Sequence, residues 1–393
     1  MMVQDRWILP QGIEELLPQQ ASKMETLRRR IVDLYASWGY ELVVPPLMEY
    51  LESLLVGTGR ELDLSTFKLV DQLNGRTMGI RADITPQVAR IDAHRLQREV
   101  PTRLCYLGSV LHTRGEGLAG SRSPLQLGAE LYGHAGVESD VEIIALMLKT
   151  LELAGIKSLH LDLGHVGLFR GLAAEAELNE EQESDLFEMF QRKAKPEIEA
   201  FLEGVSLSSD HREMLMALVN LNGDVSVLSQ AREALATAGN EVQQALHYLQ
   251  ATAERLQQSQ PELTLHFDLA ELRGYHYHTG VVFSAYAMGY SQEIARGGRY
   301  DDIGRAFGRA RPATGFSTDL KTLVSLSGTV AEQSVKIFAP AGDDSNLWET
   351  IQELRNSGQT VIRALPGQSG SAADMGCERK LVFNNEFWTV VDA

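Results

Sequence analysis

Apolar residues at helical spacing, Met24, Leu27, Ile31, Leu34, Tyr35 and Trp38, predict an amphipathic helix over residues 19–38, with Gly39 placed to end it. A strand follows over 40–44 and stops at Pro45-Pro46. Apolar runs at 67–70 and 77–81 flank Asn74-Gly75, a two-residue hairpin signal. The second run delivers Arg81, Asp83 and Thr85 at its end, and Thr85-Pro86 suits the N-cap and first position of a helix carrying Val88, Ala89 and Ile91. Residues 103–110 and 123–133 read as strands. In the second, Leu125, Leu127, Ala129 and Leu131 point to a core, and Gln126, Gly128, Glu130 and Tyr132 point the other way. A Gln, a Glu and a Tyr around a Gly describe either the floor of a polar pocket or a solvated face, and alternation alone does not separate the two.

Further along, residues 139–154 predict a helix with a capping box at Ser139 and Glu142 and a stop at Gly155. A strand is expected over 159–163. Residues 170–258 are helical in character, with a cap at Asp210 and Glu213, and the acidic stretch 175–185 reads as a solvated helix face. Leu263, Leu265, Phe267 and Leu269 alternate into the stretch 272–283, LRGYHYHTGVVF, where an Arg, two Tyr and two His precede an apolar run. That order predicts a strand whose open end offers donors and acceptors to a small ligand. Gly297-Gly298 in the segment 295–301, ARGGRYD, allows close backbone approach. From about residue 330 the chain predicts a separate unit: strands at 335–338, 360–364, 380–383 and 387–391 around a helix at 345–356. Within it, residues 366–371 read as a turn.

Composition narrows the class. The 393 residues suffice for about two or three domains. Acids outnumber bases 53 to 36, giving a net charge of −17 and a pI near 5.1, which argues against a nucleic-acid footprint. Cys105 and Cys377 form neither a metal-ligand spacing nor a disulfide framework. The first residues carry no signal-peptide pattern, and no apolar run approaches the roughly 20 residues needed to span a bilayer, so a cytoplasmic protein is expected. No metal or cofactor is called for.

Several of these segments together resemble histidyl-tRNA synthetases and their non-synthetase paralogues. WGYELVVPPLME at 38–49 is similar to motif 1 of class II aminoacyl-tRNA synthetases, which builds a dimer interface. LQLGAELYG at 125–133 resembles the strand whose Gln and Glu hold the histidine α-amine and imidazole, here Gln126 and Glu130. Asp83 and Thr85 fall where that family places a carboxylate and a Thr that contact histidine, with Ala82 where Pro is usual. Arg273 matches the Arg that contacts the ligand carboxylate. Tyr277 and His278 match the aromatic pair that closes over the imidazole, His278 departing from a second Tyr and His276 standing where synthetases carry an Asp.

The resemblance fails where a synthetase binds ATP. The motif 2 loop, residues 111–123, begins Leu111-His112-Thr113-Arg114-Gly115, so His112 replaces the Arg on the α-phosphate and Arg114 replaces the Glu on the adenine. A mostly neutral imidazole does not substitute for a bidentate guanidinium. In motif 3, Asp319-Leu320-Lys321-Thr322 stands for Gly-Leu-Glu-Arg, and Thr322 replaces the γ-phosphate Arg. One half of the pocket is kept and the other stripped, and lost phosphate charge costs orders of magnitude in rate.

The pattern is most similar to the regulatory subunits of ATP phosphoribosyltransferase. That likeness implies an α+β fold: a class II synthetase-like antiparallel sheet flanked by helices over 1–325, a helical insertion at about 170–258, and a small C-terminal α/β domain at 330–393. It implies a non-catalytic protein that activates a short-form catalytic subunit in the first step of histidine biosynthesis. It further implies that L-histidine, bound at Asp83, Thr85, Gln126, Glu130, Arg273, Tyr277 and His278, mediates feedback inhibition, and that the chain self-dimerises within a hetero-oligomer. A histidyl-tRNA synthetase and a free-standing histidine-binding paralogue are the alternatives.

Overall fold

The computed structural model describes residues 7–57, 60–115, 120–272, 274, 277–327, 335–384 and 386–393. The chain divides into a large unit, residues 1–329, and a small one, residues 330–393. In chain order the strands of the large unit are β1 (Glu41–Val43), β2 (Met48–Tyr50), β3 (Phe67–Val70), β4 (Thr77–Ile80), β5 (Thr102–Ser109), β6 (Leu125–Tyr132), β7 (Leu159–His165), β8 (Asn222–Gly223), β9 (Thr264–Asp268), β10 (Val281–Ala287), β11 (Glu293–Arg299) and β12 (Ala313–Asp319). Nine of them form one sheet in the order β1-β5-β6-β12-β11-β10-β7-β9-β8, antiparallel except for the β1/β5 and β7/β9 pairs. A second sheet, β2-β4-β3, carries the predicted 67–81 hairpin. Its connection is longer than the Asn74-Gly75 signal implied. Pairing ends at Val70 and Thr77, and the intervening loop is closed by Asp71 and Arg76.

Strict alternation lets β6 serve two environments. Leu127, Ala129 and Leu131 join one apolar cluster with Leu27, Ile31 and Tyr35 of the Pro18–Ser37 helix and Ile143, Ile144, Met147 and Leu151 of the Val137–Leu153 helix. Burying each of these leucine, isoleucine and methionine side chains stabilises the fold by roughly 1.5–3 kcal/mol. Tyr132, at the opposite phase, joins a separate cluster with Ile84, Val88, Leu104, Tyr106, Tyr300 and Ala313. The Val137–Leu153 helix buries more of its circumference than one stripe, since Leu146 and Met147 are also enclosed.

The expected helical stretch consists of helices Val166–Glu175, Glu180–Gln191, Lys195–Gly204, Ser209–Leu218, Ser226–Ala234 and Asn240–Ser259, and their apolar faces continue the main core. Part of the acidic stretch turns out to start a helix. Asn179 and Gln182 form a reciprocal capping box, and Glu180, Glu181 and Glu183 occupy the first turn, where the helix dipole favours them.

Three predicted caps are replaced by other arrangements. The helix at 85 begins after Ile84, and Thr85 lies inside its first turn with its hydroxyl turned to β6. Ser139 and Glu142 form no box, because the Val137–Leu153 helix begins earlier. Ser139 donates to Gly136 O instead, and Glu142 pairs with Arg103 at 2.7 Å. The Ser209–Leu218 helix is capped by Ser208, which accepts from His211 N–H, so Asp210 and Glu213 do not cap it. In each case a tertiary partner or an earlier Ser outcompetes the local pattern.

In the small unit, β13 (Lys336–Ala339), β14 (Thr360–Arg363), β15 (Arg379–Asn384) and β16 (Phe387–Asp392) form a sheet in the order β14-β13-β15-β16. The helix Ser345–Asn356 packs Leu347 and Ile351 onto Ile337, Ala339, Val361 and Leu381. Asp344 caps that helix and accepts from Trp388 Nε1 at 2.7 Å.

Arg299 at the end of β11 is the main polar tie between the large sheet and the Val137–Leu153 helix. It is enclosed, and it donates to Asp140 at 3.0 Å, to Ser139 at 2.9 Å and to the carbonyls of His134 and Gly136. Arg299→Met leaves Asp140 buried without its cation, so urea unfolding should show a loss of about 3–5 kcal/mol. A loss below about 1 kcal/mol, the range of an exposed pair, would refute this role for the contact.

Candidate functional site

The polar phase of β6 lies beside two glycines. Glu130 is in register with Gly315 of β12, and Gly315 with Gly298 of β11. A Cβ at Gly315 would fall 1.5 Å from Glu130 Oε2, and a Cβ at Gly298 would fall 2.7 Å from the His278 ring. At Gly128, one step along β6, a Cβ would meet the Tyr106 hydroxyl at 2.5 Å. The missing side chains leave room on one face of the sheet, and the side chains of Glu130, Tyr106 and His278 occupy it.

Glu130 is 1% exposed. Its Oε1 accepts from Thr85 Oγ1 at 3.1 Å, its Oε2 accepts from the Tyr300 hydroxyl, and Tyr106 adds a further hydroxyl contact. Thr85 and Tyr106 are themselves 3.0 Å apart. A buried carboxylate is costly, and burial pushes the Glu130 carboxyl up to about 8. The three hydroxyls act against that rise and the negative charge of Asp83 adds to it. Burial raises the surrounding tyrosines, Tyr106, Tyr132, Tyr277 and Tyr300, well above the ordinary phenol value, so they remain hydroxyls.

Asp83 and Gln126 form the second group. Gln126 Nε2 donates to Asp83 Oδ1 at 2.7 Å, and Gln126 Oε1 accepts from Ile84 N–H at 2.9 Å. Asp83 also accepts from Thr85 N–H at 3.1 Å. Nearby, Arg81 fixes the local chain path by donating to the carbonyls of Pro45 and Ser109.

Tyr277 and His278 come from the turn before β10, where both backbone N–H groups donate to Gly274 O. The Tyr277 ring lies 5.0 Å from that of Tyr300 and 5.4 Å from that of His278, the latter edge-on. The buried Tyr277 hydroxyl has no hydrogen-bond partner among the described residues. Arg170, on the Val166–Glu175 helix, donates to His278 O at 3.2 Å.

Of the seven residues singled out from the sequence, Asp83, Thr85, Gln126 and Glu130 share one hydrogen-bonded group. Tyr277 reaches it through Tyr300, and His278 covers Gly298 beside it. Arg273 lies outside the described residues. Tyr106 and Tyr300 escaped the sequence reading although both touch the same carboxyl network. Tyr300 stands beside the glycines of ARGGRYD, and Tyr106 sits in the apolar middle of β5 between Cys105 and Leu107. The residues that the resemblance aligns with a synthetase's phosphate-binding arginines make local hydrogen bonds. His112 Nε2 pairs with Ala82 O at 2.8 Å, and Thr322 donates to Asp319 at 3.0 Å. Lys321 reaches Ser123 and Glu14. Among the described residues, no group of His, Cys, Asp and Glu is arranged to hold a metal ion, and no helix is long and apolar enough to cross a membrane.

Comparison with known proteins places the fold and the family. A family model described as histidyl-tRNA synthetase matches residues 12–323, and one described as ATP phosphoribosyltransferase subunit HisZ C-terminal domain matches residues 334–391. A solved structure titled ATP phosphoribosyltransferase regulatory subunit/histidyl-tRNA synthetase, from Bacillus halodurans, superposes with a TM-score of 0.81 at 27% identity, covering 94% of this chain and 95% of that one. Histidyl-tRNA synthetase from Nostoc, at 19% identity and a TM-score of 0.78 over 96% and 91% of the two chains, shares the fold. The fold is therefore that of the class II, histidyl-tRNA synthetase-like proteins, with a small α/β unit appended. ATP phosphoribosyltransferase regulatory subunits from Thioalkalivibrio sulfidiphilus and Pseudomonas fluorescens (strain Pf0-1) are 61% and 58% identical, each over 99% of both chains. The chain belongs to the ATP phosphoribosyltransferase regulatory subunit family.

The Glu130 carboxyl makes stability depend on pH. Its folded value lies above the ordinary 4.5, so the folded chain keeps a proton that the unfolded chain releases. This contribution is complete below about 4.5 and is lost as pH rises to about 8. Glu130→Gln removes it, so the difference between wild-type and variant unfolding free energies should drift by up to about 1.4 kcal/mol per pH unit across that window. Parallel curves for the two proteins would contradict the assignment.

Proposed function

We propose that this chain is the non-catalytic regulatory subunit of an ATP phosphoribosyltransferase and senses L-histidine in the pocket between Asp83 and Glu130. It pairs with a short-form catalytic subunit, activates it for the first step of histidine biosynthesis, and transmits feedback inhibition when histidine is bound. One contrast carries the reading. The amino-acid half of a synthetase site is a continuous polar network, whereas the phosphate positions hold His112 and Thr322, each committed to a local hydrogen bond.

In this assignment Asp83 and Gln126 receive the α-ammonium, Glu130 receives the imidazole within the shell formed by Thr85, and Arg273 meets the carboxylate. Tyr277 and His278 close over the ring. Feedback then requires histidine to bind one conformation of the assembly better than another. The β1 edge, with Leu42, Val44, Leu47 and Met48 exposed, supports self-association through motif 1 inside a hetero-oligomer. A histidyl-tRNA synthetase is the second reading, since that family model spans most of the chain. The acidic composition and the altered phosphate positions weigh against it, against nucleic-acid binding and against any cofactor. A cytoplasmic location fits the proposed pathway.

Calorimetric titration tests both readings. The full chain should bind L-histidine and stay silent towards ATP, Glu130→Ala should weaken histidine binding by at least about tenfold, and added histidine should inhibit the complex with the catalytic subunit. Histidyl-adenylate formation from histidine and ATP would restore the synthetase.

A further inference from the structure

The described partners of the Glu130 carboxyl are all hydroxyls: those of Thr85, Tyr106 and Tyr300. A hydroxyl turns readily from donor to acceptor, whereas an amide N–H or a guanidinium only donates. This shell therefore accommodates a carboxylic acid as well as a carboxylate. Gly315 leaves the space that the carboxyl occupies, since a Cβ there would fall 1.5 Å from Glu130 Oε2, and Asp83, linked to the same strand through Gln126, presents a like charge. The other titratable groups on this face are Tyr132 on the same strand and Tyr277 and His278 on the turn before β10, and Tyr40, in the core cluster on the other phase of β6, feels its charge. Arg273 lies outside the described residues.

We propose that Glu130 carries its proton in the empty pocket and expels it to solvent when an amino acid bearing a ring N–H is bound, so that each binding event releases one proton. The inference rests on the pocket assignment above and adds the chemistry of selection. The ligand supplies two things that the empty site lacks. Its ring N–H gives the ionised carboxylate a donor that cannot turn away, and its α-ammonium at Asp83 cancels the like charge opposing ionisation. In the step, the Glu130 O–H bond breaks and its proton passes to the buffer. The N–H···O hydrogen bond forms, and the ligand's own protonation is unchanged. A flat ring without an N–H, such as that of thienylalanine, leaves the acid form in place. The burial of Glu130, which already brings its titration close to neutrality, makes this exchange accessible near physiological pH.

Calorimetry of the full chain with L-histidine at about pH 7, in buffers of different ionisation enthalpy, counts the protons directly. Release approaching one proton per site is expected, with affinity rising by up to about tenfold per pH unit from about pH 6 to about pH 8 after correction for free histidine. Infrared difference spectra of the unaltered chain should show loss of a protonated-carboxyl band on adding histidine, and no such loss with thienylalanine. Glu130→Gln, if folded, should bind without the release. Tight histidine binding with no release, or with proton uptake, overturns the proposal and leaves the pocket assignment standing. Absence of histidine binding in every buffer overturns both.

Discussion

Enclosing a carboxyl group in a protein interior is costly, and the design of the large unit follows from how that cost is met at Glu130. Three hydroxyls from a helix, a strand and a post-strand residue converge on it, and each comes from a different part of the chain. The convergence holds only if β6, β12 and β11 keep their register, because the glycines that make room are spaced across those strands. A slip of one residue would exchange Glu130 for Ala129 or Leu131, placing a carboxyl in the apolar core and an apolar side chain in the pocket. Core packing and site construction are thus two faces of one alternation.

Arginine placement tells a related story. In a nucleotide-activating enzyme of this fold, guanidinium groups would be expected at the phosphates. Here the well-buried ones are structural. Arg299 joins the sheet to the Val137–Leu153 helix, Arg311 satisfies the enclosed Asp92, and Arg81 ties the loop after β4 to the Pro45-Pro46 turn. Positive charge at these buried positions is used to hold elements together.

Much of this was legible in the sequence where the periodicity was strong and the partners were local. The two-faced character of β6 and the helix before β1 follow from spacing alone, and the helical character of residues 170–258 follows from composition. The grouping of Asp83, Thr85, Gln126 and Glu130 came from resemblance rather than from the residues' own pattern, because alternation describes a wet face and a pocket floor equally well. Helix caps were poorly legible. Ser139 and Thr85 resemble caps in sequence, and both are drawn away by partners distant in the chain, Arg299 and Glu130. Tyr300 and Tyr106 were invisible as site residues for the same reason: their role depends on which strands become neighbours.

The hydrogen bond from Arg170 to the His278 carbonyl joins the first helix of the insertion to the turn that carries Tyr277 and His278. A hydrogen bond tolerates only a few tenths of an ångström of drift before it weakens steeply. The first helix of the insertion is thus tied to the turn of Tyr277 and His278 by a bond already near the long end of the usual range, so a small shift of that helix is enough to break it.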